Sequence, residues 1–278
     1  MKVTNFKKEL TSLIEEKKNK GKTVGFVPTM GALHNGHLSL IKKASEECDI
    51  VVCSIFVNPT QFNVSSDLDK YPRTLEADKK LIEDYCDILF FPESPEEVYG
   101  AKMEMIEFDF EGLENELEGE FRPGHFQGMA NVVAKFLTIV NSDKAYFGLK
   151  DFQQYKIVCK LVELIKLDTE IVGCAIIREE NGLARSSRNE LLTKEGREAA
   201  SVISYAMNYI LKYHSCFTVI EIQKKAKAMI SGIIEVEYLE IRDSNSLLNF
   251  ENWEDSKEVF VSFAGHIDGV RLIDNVRF

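Results

Sequence analysis

Thr23-Val24-Gly25-Phe26-Val27, continuing as Pro28-Thr29-Met30-Gly31-Ala32-Leu33-His34-Asn35-Gly36-His37, is the stretch on which the fold of this chain turns. The first five residues form a short apolar run of the kind buried in a parallel sheet, and Pro28 is expected to end it. Over 36–47, Leu38, Ile41 and Ala44 recur on one face at helical spacing. The stretch therefore reads as strand, turn and helix, with two histidines three residues apart at the junction. The first turn of a helix has N–H groups without intrahelical partners and a dipole that favours negative charge. Gly36 would let a ligand approach the backbone, and both imidazoles can donate to phosphate oxygens. A His-x-x-His pair is also compatible with half a metal site or with two surface histidines. The position directly after a buried strand favours the phosphate.

On either side of this junction the chain alternates strands and helices. Periodicity predicts helices over 6–18, 75–86, 126–140 and 151–165, and strands over 50–57, 88–91, 144–147 and 169–177. Such alternation indicates βαβ units and a mostly parallel, doubly wound α/β sheet, with ligands beyond the carboxyl ends of its strands. After Arg178 the order changes. Helices over 188–213 and 220–231 precede strands over 233–241 and 259–264 and a short apolar tail. We therefore expect two domains, a catalytic one over 1–177 and a smaller C-terminal α+β lid domain over 178–278.

Of the 278 residues, 45% are hydrophobic and 28% charged, ordinary values for a globular protein with a sizeable core. The formal charge of −11 argues against an electrostatic grip on nucleic acid. No run approaches the roughly 20 apolar residues of a membrane span, and residues 1–10 do not read as a signal peptide. The six cysteines lie mostly inside apolar runs without a Cys-x-x-Cys pair, which suggests free thiols in a reducing compartment and a cytoplasmic protein.

His34-Asn35-Gly36-His37 resembles the His-x-Gly-His signature of the nucleotidyltransferase superfamily, which includes the class I aminoacyl-tRNA synthetases. Several further segments, taken in order, resemble the pantothenate synthetase family. They are Ser54-Ile55-Phe56-Val57-Asn58-Pro59-Thr60-Gln61-Phe62, Asp69-Lys70-Tyr71-Pro72-Arg73-Thr74, Glu118 to Phe126, Phe147-Gly148-Leu149-Lys150-Asp151-Phe152-Gln153-Gln154 and Gly182 to Asn189. The likeness runs clearly from about Gly21 to Leu192 and weakens beyond. It implies a Rossmann-like fold and a ligase that activates pantoate with ATP as an adenylate and passes the acyl group to β-alanine.

The same resemblance assigns ATP to Met30, Gly31, Ala32, Leu33, His34, Asn35, Gly36 and His37. It adds Gly148, Leu149, Lys150 and Asp151, the backbone of Ile177, and Arg185, Ser186, Ser187 and Arg188. His34, His37, Lys150 and Arg188 would act on the reacting phosphates. Gln61 and Gln154 would hold pantoate and β-alanine, with Asn58 and Arg122 beside them and His125 in support. Read without the family, Asn58 before Pro59 fits a turn, Asp151 fits a helix cap, and Arg185 to Arg188 fits a solvated linker. Gln154, four residues after Lys150, is expected on the same helical face.

Mg²⁺ should accompany ATP with few protein ligands. Asp67, Asp69 and Glu76 to Asp78 could hold it, but a charged helix face explains them equally, so no metal residue is assigned. Small-molecule substrates are the expected partners, without nucleic acid or membrane, and the family implies a homodimer. Leu149, Phe152 and Arg185 depart from the usual family residues. Arg185 is expected to add positive charge at the nucleotide. The rival readings are an adenylyltransferase that leaves AMP in its product, a class I tRNA synthetase, and a non-catalytic nucleotide-binding module.

Overall fold

A computed structural model of the chain describes residues 1–61 and 71–278. It divides into two units, one of Met1–Leu149 and Gln153–Ala175, the other of Lys150–Phe152 and Ile176–Phe278. The first unit contains β1 (Lys2–Thr4), α1 (Lys7–Lys18), β2 (Val24–Thr29), α2 (Asn35–Glu47) and β3 (Ile50–Ile55). These are followed by α3 (Leu75–Ile82), β4 (Ile88–Phe90), α4 (Glu96–Tyr99), α5 (Glu118–Phe121), α6 (His125–Val140) and β5 (Lys144–Gly148). Next come α7 (Phe152–Ile165), whose first residue groups with the second unit, and β6 (Glu170–Cys174).

The six strands form one parallel sheet in the order β1-β4-β3-β2-β5-β6. From β2 the chain moves outward to β3 and β4, then returns on the other side as β5. The order therefore reverses between β2 and β5, the place in such a sheet where ligands collect. Both faces of the sheet are covered. Val24, Phe26 and Val52 enter a core with Leu10 and Ile14 of α1 and with Phe136 and Leu137 of α6. Val27, Val51, Cys53 and Ile55 enter another with Leu40, Ile41 and Ala44 of α2. Phe26, Phe56 and Phe90 surround Phe136 with ring centroids 5.9–6.1 Å apart. Burial of each such ring contributes about 1.5–3 kcal/mol.

The second unit packs α8 (Lys194–Ala199), α9 (Ser201–Tyr213) and α10 (Val219–Ile230) with an antiparallel sheet of β7 (Glu235–Asp243), β8 (Val259–Ile267) and β9 (Val270–Arg277). Among the described residues no helix is long and apolar enough to cross a membrane. All six cysteines are free. Burial pushes the Cys86 thiol up to about 12 and the Cys174 thiol up to about 11, which keeps both protonated and inert.

Three expectations need correction, and one element was not foreseen. Pro28 does not end its strand: β2 runs to Thr29 and pairs Pro28 with Ser54 of β3. Even-numbered residues of β2 face β5, and that ladder stops at Phe26, so the missing N–H of Pro28 breaks no pairing. The helix predicted over 188–213 is three pieces, a 3₁₀ turn over Ser187–Leu191, then α8 and α9. Thr193 makes the break by capping α8, its hydroxyl accepting from the Gly196 N–H at 2.9 Å. The apolar tail is a full strand, β9, joined to β8 by Asp268 and Gly269 at φ 54° and 73°, as a two-residue hairpin requires. The lysine-bearing N-terminus supplies an edge strand, β1, paired with β4.

Candidate active site

The turn between β2 and α2 is held at every N–H from Gly31 to Leu33. Thr29 Oγ1 donates to the Ser54 carbonyl at 2.8 Å and accepts from the Gly31 N–H at 3.3 Å. The Ala32 and Leu33 N–H groups donate to the two carboxylate oxygens of Asp78, at 3.0 and 2.8 Å. Gly31 and Ala32 have φ of 85° and 49°, two successive left-handed residues. For Ala32, which carries a Cβ, that conformation costs about 1–2 kcal/mol. Successive N–H groups in such a turn make a concavity that binds anions, and here Asp78, 2% exposed, fills it. Any contact of Ala32 or Leu33 with a phosphate must therefore use atoms other than these N–H groups.

His34 is the N-cap of α2. Its Nδ1 accepts from the Gly36 N–H at 3.1 Å, and the His37 Nδ1 accepts from the His34 N–H at 3.4 Å. An imidazole nitrogen that accepts carries no proton, so each neutral ring has its proton on Nε2 and presents that atom as a donor. The rings lie 4.1 Å apart, centroid to centroid, at 39°. A Cβ at position 36 would fall 2.8 Å from Cε1 of His34. Gly36 is thus required first by the His34 ring, where the sequence suggests a role in ligand approach.

Beyond β3, Asn58 and Gln61 are both buried. Asn58 Nδ2 donates to Gln61 Oε1 at 3.2 Å and to the Gly128 carbonyl at 3.3 Å. Its Oδ1 accepts from the Tyr99 hydroxyl at 2.8 Å. Burial raises the Tyr99 hydroxyl above its ordinary range, so it remains a donor. Gln61 Nε2 points at the Met30 sulfur, 2.8 Å away, and the Gln61 carbonyl pairs with His125 Nδ1 at 2.9 Å. A carbonyl only accepts, so His125 Nδ1 must donate. Asn58 and His125 are therefore scaffold for Gln61, consistent with Asn58 as a turn residue. Arg122 is half-buried at the end of α5, and Gln154 is half-buried on α7. The neighbouring Gln153 is committed to the backbone of Leu113, Glu116 and Glu118.

In the second unit, Lys150 lies in a 3₁₀ turn over Leu149–Asp151, and its carbonyl accepts from Asn275 Nδ2 at 2.8 Å. Because α7 starts only at Phe152, the helical spacing expected between Lys150 and Gln154 does not apply. Asp151 is exposed. The 178–192 loop is anchored by Arg178, which donates to both oxygens of buried Asp274 at 2.6 and 2.9 Å and to the Gly182 carbonyl. Burial pushes the Asp274 carboxyl up against the downward pull of Arg178. The Ile177 carbonyl accepts from the Arg185 N–H at 2.8 Å.

Arg185 is tied to Glu179 at 2.9 Å and to Glu190 at 3.0 Å. Glu179 also receives Arg197 and Asn189, each at 2.8 Å. These donors, Arg197 first, pull its carboxyl down to about 2. The Arg185 charge is thus matched by carboxylates, which corrects the expectation of added positive charge at the nucleotide. Ser186 accepts from the Arg188 N–H at 3.3 Å as the cap of the Ser187–Leu191 turn; Ser187 is half-buried and the Arg188 side chain is exposed.

A family model described as pantoate-β-alanine ligase matches residues 2–277. The chain belongs to the pantoate-β-alanine ligase family. It is 45% identical to the pantothenate synthetase of Christiangramia forsetii, with 99% of each chain covered. It is 44% identical to that of Bacteroides thetaiotaomicron, over 100% of this chain and 99% of the relative. Its fold is similar to the pantothenate synthetase of Thermus thermophilus, with a TM-score of 0.92, 36% identity and 99% of each chain covered. It is also similar to the pantoate-β-alanine ligase of Francisella tularensis complexed with β-γ ATP and β-alanine. There the TM-score is 0.80 and the identity 38%, over 99% of this chain and 97% of the other.

Within this ligase family, the residues singled out by sequence fall into two groups. Met30 to His37, Asn58, Gln61, Arg122, Gly148, Leu149 and Gln154 are in the first unit; Lys150, Asp151, Ile177 and Arg185 to Arg188 are in the second. Tyr99, Gly128 and Asp78 were not assigned to the site by sequence, yet they brace its loops. Among the described residues no group of three or more His, Cys, Asp or Glu is arranged to hold a metal ion. Asp78 is occupied by backbone N–H groups, Glu76 pairs with Lys79 at 2.8 Å, and Asp67 and Asp69 lie outside the described residues. Asp78 and Glu76, the described members of that set, are thus committed to other partners.

Proposed function

We infer that the chain is an ATP-dependent ligase that joins pantoate to β-alanine, forming an amide and releasing AMP and pyrophosphate. The observation that carries this reading is the match of residues 2–277 to the pantoate-β-alanine ligase family. The Francisella tularensis relative in complex with β-γ ATP and β-alanine supports ATP as co-substrate.

In the mechanism we propose, a pantoate carboxylate oxygen attacks the α-phosphorus of ATP. The bond from that phosphorus to the bridging oxygen breaks, and pyrophosphate leaves. Negative charge grows on the phosphate oxygens, and the Nε2–H donors of His34 and His37 meet it. Their Nδ1 caps hold both rings in the donor tautomer before ATP arrives, so little reorganisation remains at the moment of reaction. Preorganised donors of this kind contribute on the order of 3 kcal/mol each. Lys150 and Arg188 carry the same role by family resemblance, with Ser186 capping the turn that bears Arg188 and Ser187 beside it. Gln61 and Gln154 orient pantoate. The neutral β-alanine amine then attacks the acyl carbon, the acyl–O bond to AMP breaks, and the amine proton leaves to solvent. Holding the two reactants in turn supplies much of the remaining acceleration.

Mg²⁺ would enter with the phosphates and offset their charge. A cytoplasmic location, from the scattered free cysteines, and a homodimer, by family resemblance, complete the reading. The test is product analysis with pantoate and β-alanine omitted in turn. Pyrophosphate exchange should require pantoate alone, and free AMP should require both substrates. AMP retained in the final product would overturn the ligase in favour of an adenylyltransferase.

A further inference from the structure

We propose that Asp78 is a positioning residue for adenylation, holding the nucleotide turn in the conformation that aims His34 and His37. The proposal rests on the ATP role given above to that turn. The carboxylate is buried on the first turn of α3 and points away from that helix to accept two consecutive backbone N–H groups, from Ala32 and Leu33. Those are the donors that immediately precede His34, the first inside and the second directly after the two-residue left-handed kink at Gly31 and Ala32. Backbone of that shape persists only where its surroundings over-determine it. Asp78 is the group that does so on this side, while Thr29 holds the Gly31 N–H on the other.

The geometry also explains why Thr74 precedes the helix. It occupies the N-cap position, yet its hydroxyl makes no cap bond and donates instead to Asp78 Oδ1 at 3.0 Å. The carboxylate is thus fixed by a third donor, and its two oxygens are divided between the two N–H groups of the turn. A Cβ on Gly31 would come within 3.3 Å of Asp78 Oδ2 and 3.0 Å of Ile55, so the kink and the carboxylate are fitted closely together. If the carboxylate is lost, the kink can relax, His34 swings with it, and the paired Nδ1 caps that fix both donors are disturbed.

The test uses the full chain carrying Asp78→Asn, a near-isosteric change that leaves one acceptor oxygen and sets an amide against the second N–H. ATP binding is read by titration calorimetry, and the ATP and pantoate KM values by pantoate-dependent pyrophosphate exchange. We expect ATP Kd and KM to rise about tenfold, with pantoate KM within twofold of the parent and the circular dichroism spectrum unchanged. Equal changes in both KM values, or an ATP Kd within twofold of the parent, overturn the proposal. Should Asp78→Asn fail to fold, Thr74→Val removes only the third donor. A rise of about threefold in ATP Kd then supports the assignment, and an unchanged Kd overturns it. A parent protein that binds ATP but shows no exchange with pantoate sinks the proposed reaction, and the calorimetric comparison still tests Asp78.

Discussion

Gly128→Ala should damage the use of pantoate far more than it damages folding. Gly128 sits inside α6, where a methyl group would ordinarily help: alanine is favoured over glycine in a helix interior by about 1 kcal/mol. Here the methyl would drive into the Thr60 carbonyl and come 3.0 Å from the Gln61 N–H. Ordinary contact begins at 3.4 Å, so the 58–61 loop must retreat by on the order of 1 Å. The retreat also strains the bonds to the Gly128 carbonyl from Asn58 at 3.3 Å and from Thr60 at 3.2 Å. Overpacking costs about 1–3 kcal/mol, and the helix propensity of alanine offsets part of that. The net loss of stability should be no more than about 2 kcal/mol in urea denaturation. A displacement of about 1 Å in a positioning group costs on the order of 100-fold in rate. The assay is AMP release with pantoate varied at saturating ATP and β-alanine. We expect kcat/KM for pantoate to fall about 100-fold, with ATP KM nearly unchanged. A folded alanine variant with the parent kcat/KM for pantoate would refute the idea that this backbone contact sets the position of Gln61.

Three further outcomes follow from the same geometry. His34→Asn keeps a good helix cap and removes the imidazole donor, so pyrophosphate exchange should fall about 100-fold with little change in melting temperature; His34→Ala should add about 1 kcal/mol of destabilisation. Glu179 has a folded-state carboxyl near 2, below its ordinary 4.5. Its contribution is therefore complete above pH 4.5 and lost as pH falls toward 2, so Glu179→Gln should flatten the acid-unfolding curve over that window. Identical curves would count against the network. Arg178→Ala leaves the buried Asp274 carboxylate without its cation and should cost about 3–5 kcal/mol, whereas Arg178→Met with Asp274→Leu should recover most of it.

The strand-turn-helix unit was legible because its signals are local: an apolar run, a glycine-bearing turn and a 3.6-residue apolar period. The same signals outlined most of the parallel sheet and the helices around it. What escaped were features that depend on distant partners. β1 is three residues long and becomes a strand only because β4 accepts it at the edge. Asp78 reads as one charge on a polar helix face, and its real partners lie 45 and 46 residues away. Tyr99 reaches Asn58 across 41 residues. Two misses did carry a local signal. Asp268-Gly269 between two β-branched runs is a hairpin turn, and a lone glycine inside the α6 pattern points to a close backbone approach.

The candidate site follows the same division between chemistry and support. The groups proposed to meet substrate, His34, His37, Gln61 and Gln154, were recognisable by type and by their place at or soon after strand-to-helix junctions and loops. Of the groups that brace them, His125 was given a supporting role by the family motif, whereas Asp78, Tyr99 and Gly128 are buried or glycine and in sequence look like ordinary parts of helices. This asymmetry has a physical origin. A donor that meets a phosphate must be near the surface and of particular chemistry, whereas a brace needs only a carboxylate, a hydroxyl or a missing methyl at the right distance. In a site that depends on preorganised donors, the braces bear on rate nearly as directly as the donors do. Substitutions at Asp78 and Gly128 should therefore show up in separate substrate constants, ATP for the first and pantoate for the second. In the proposed reaction their turns serve different reactants, and the contact between the two loops runs through Gln61 and Met30 rather than through either brace.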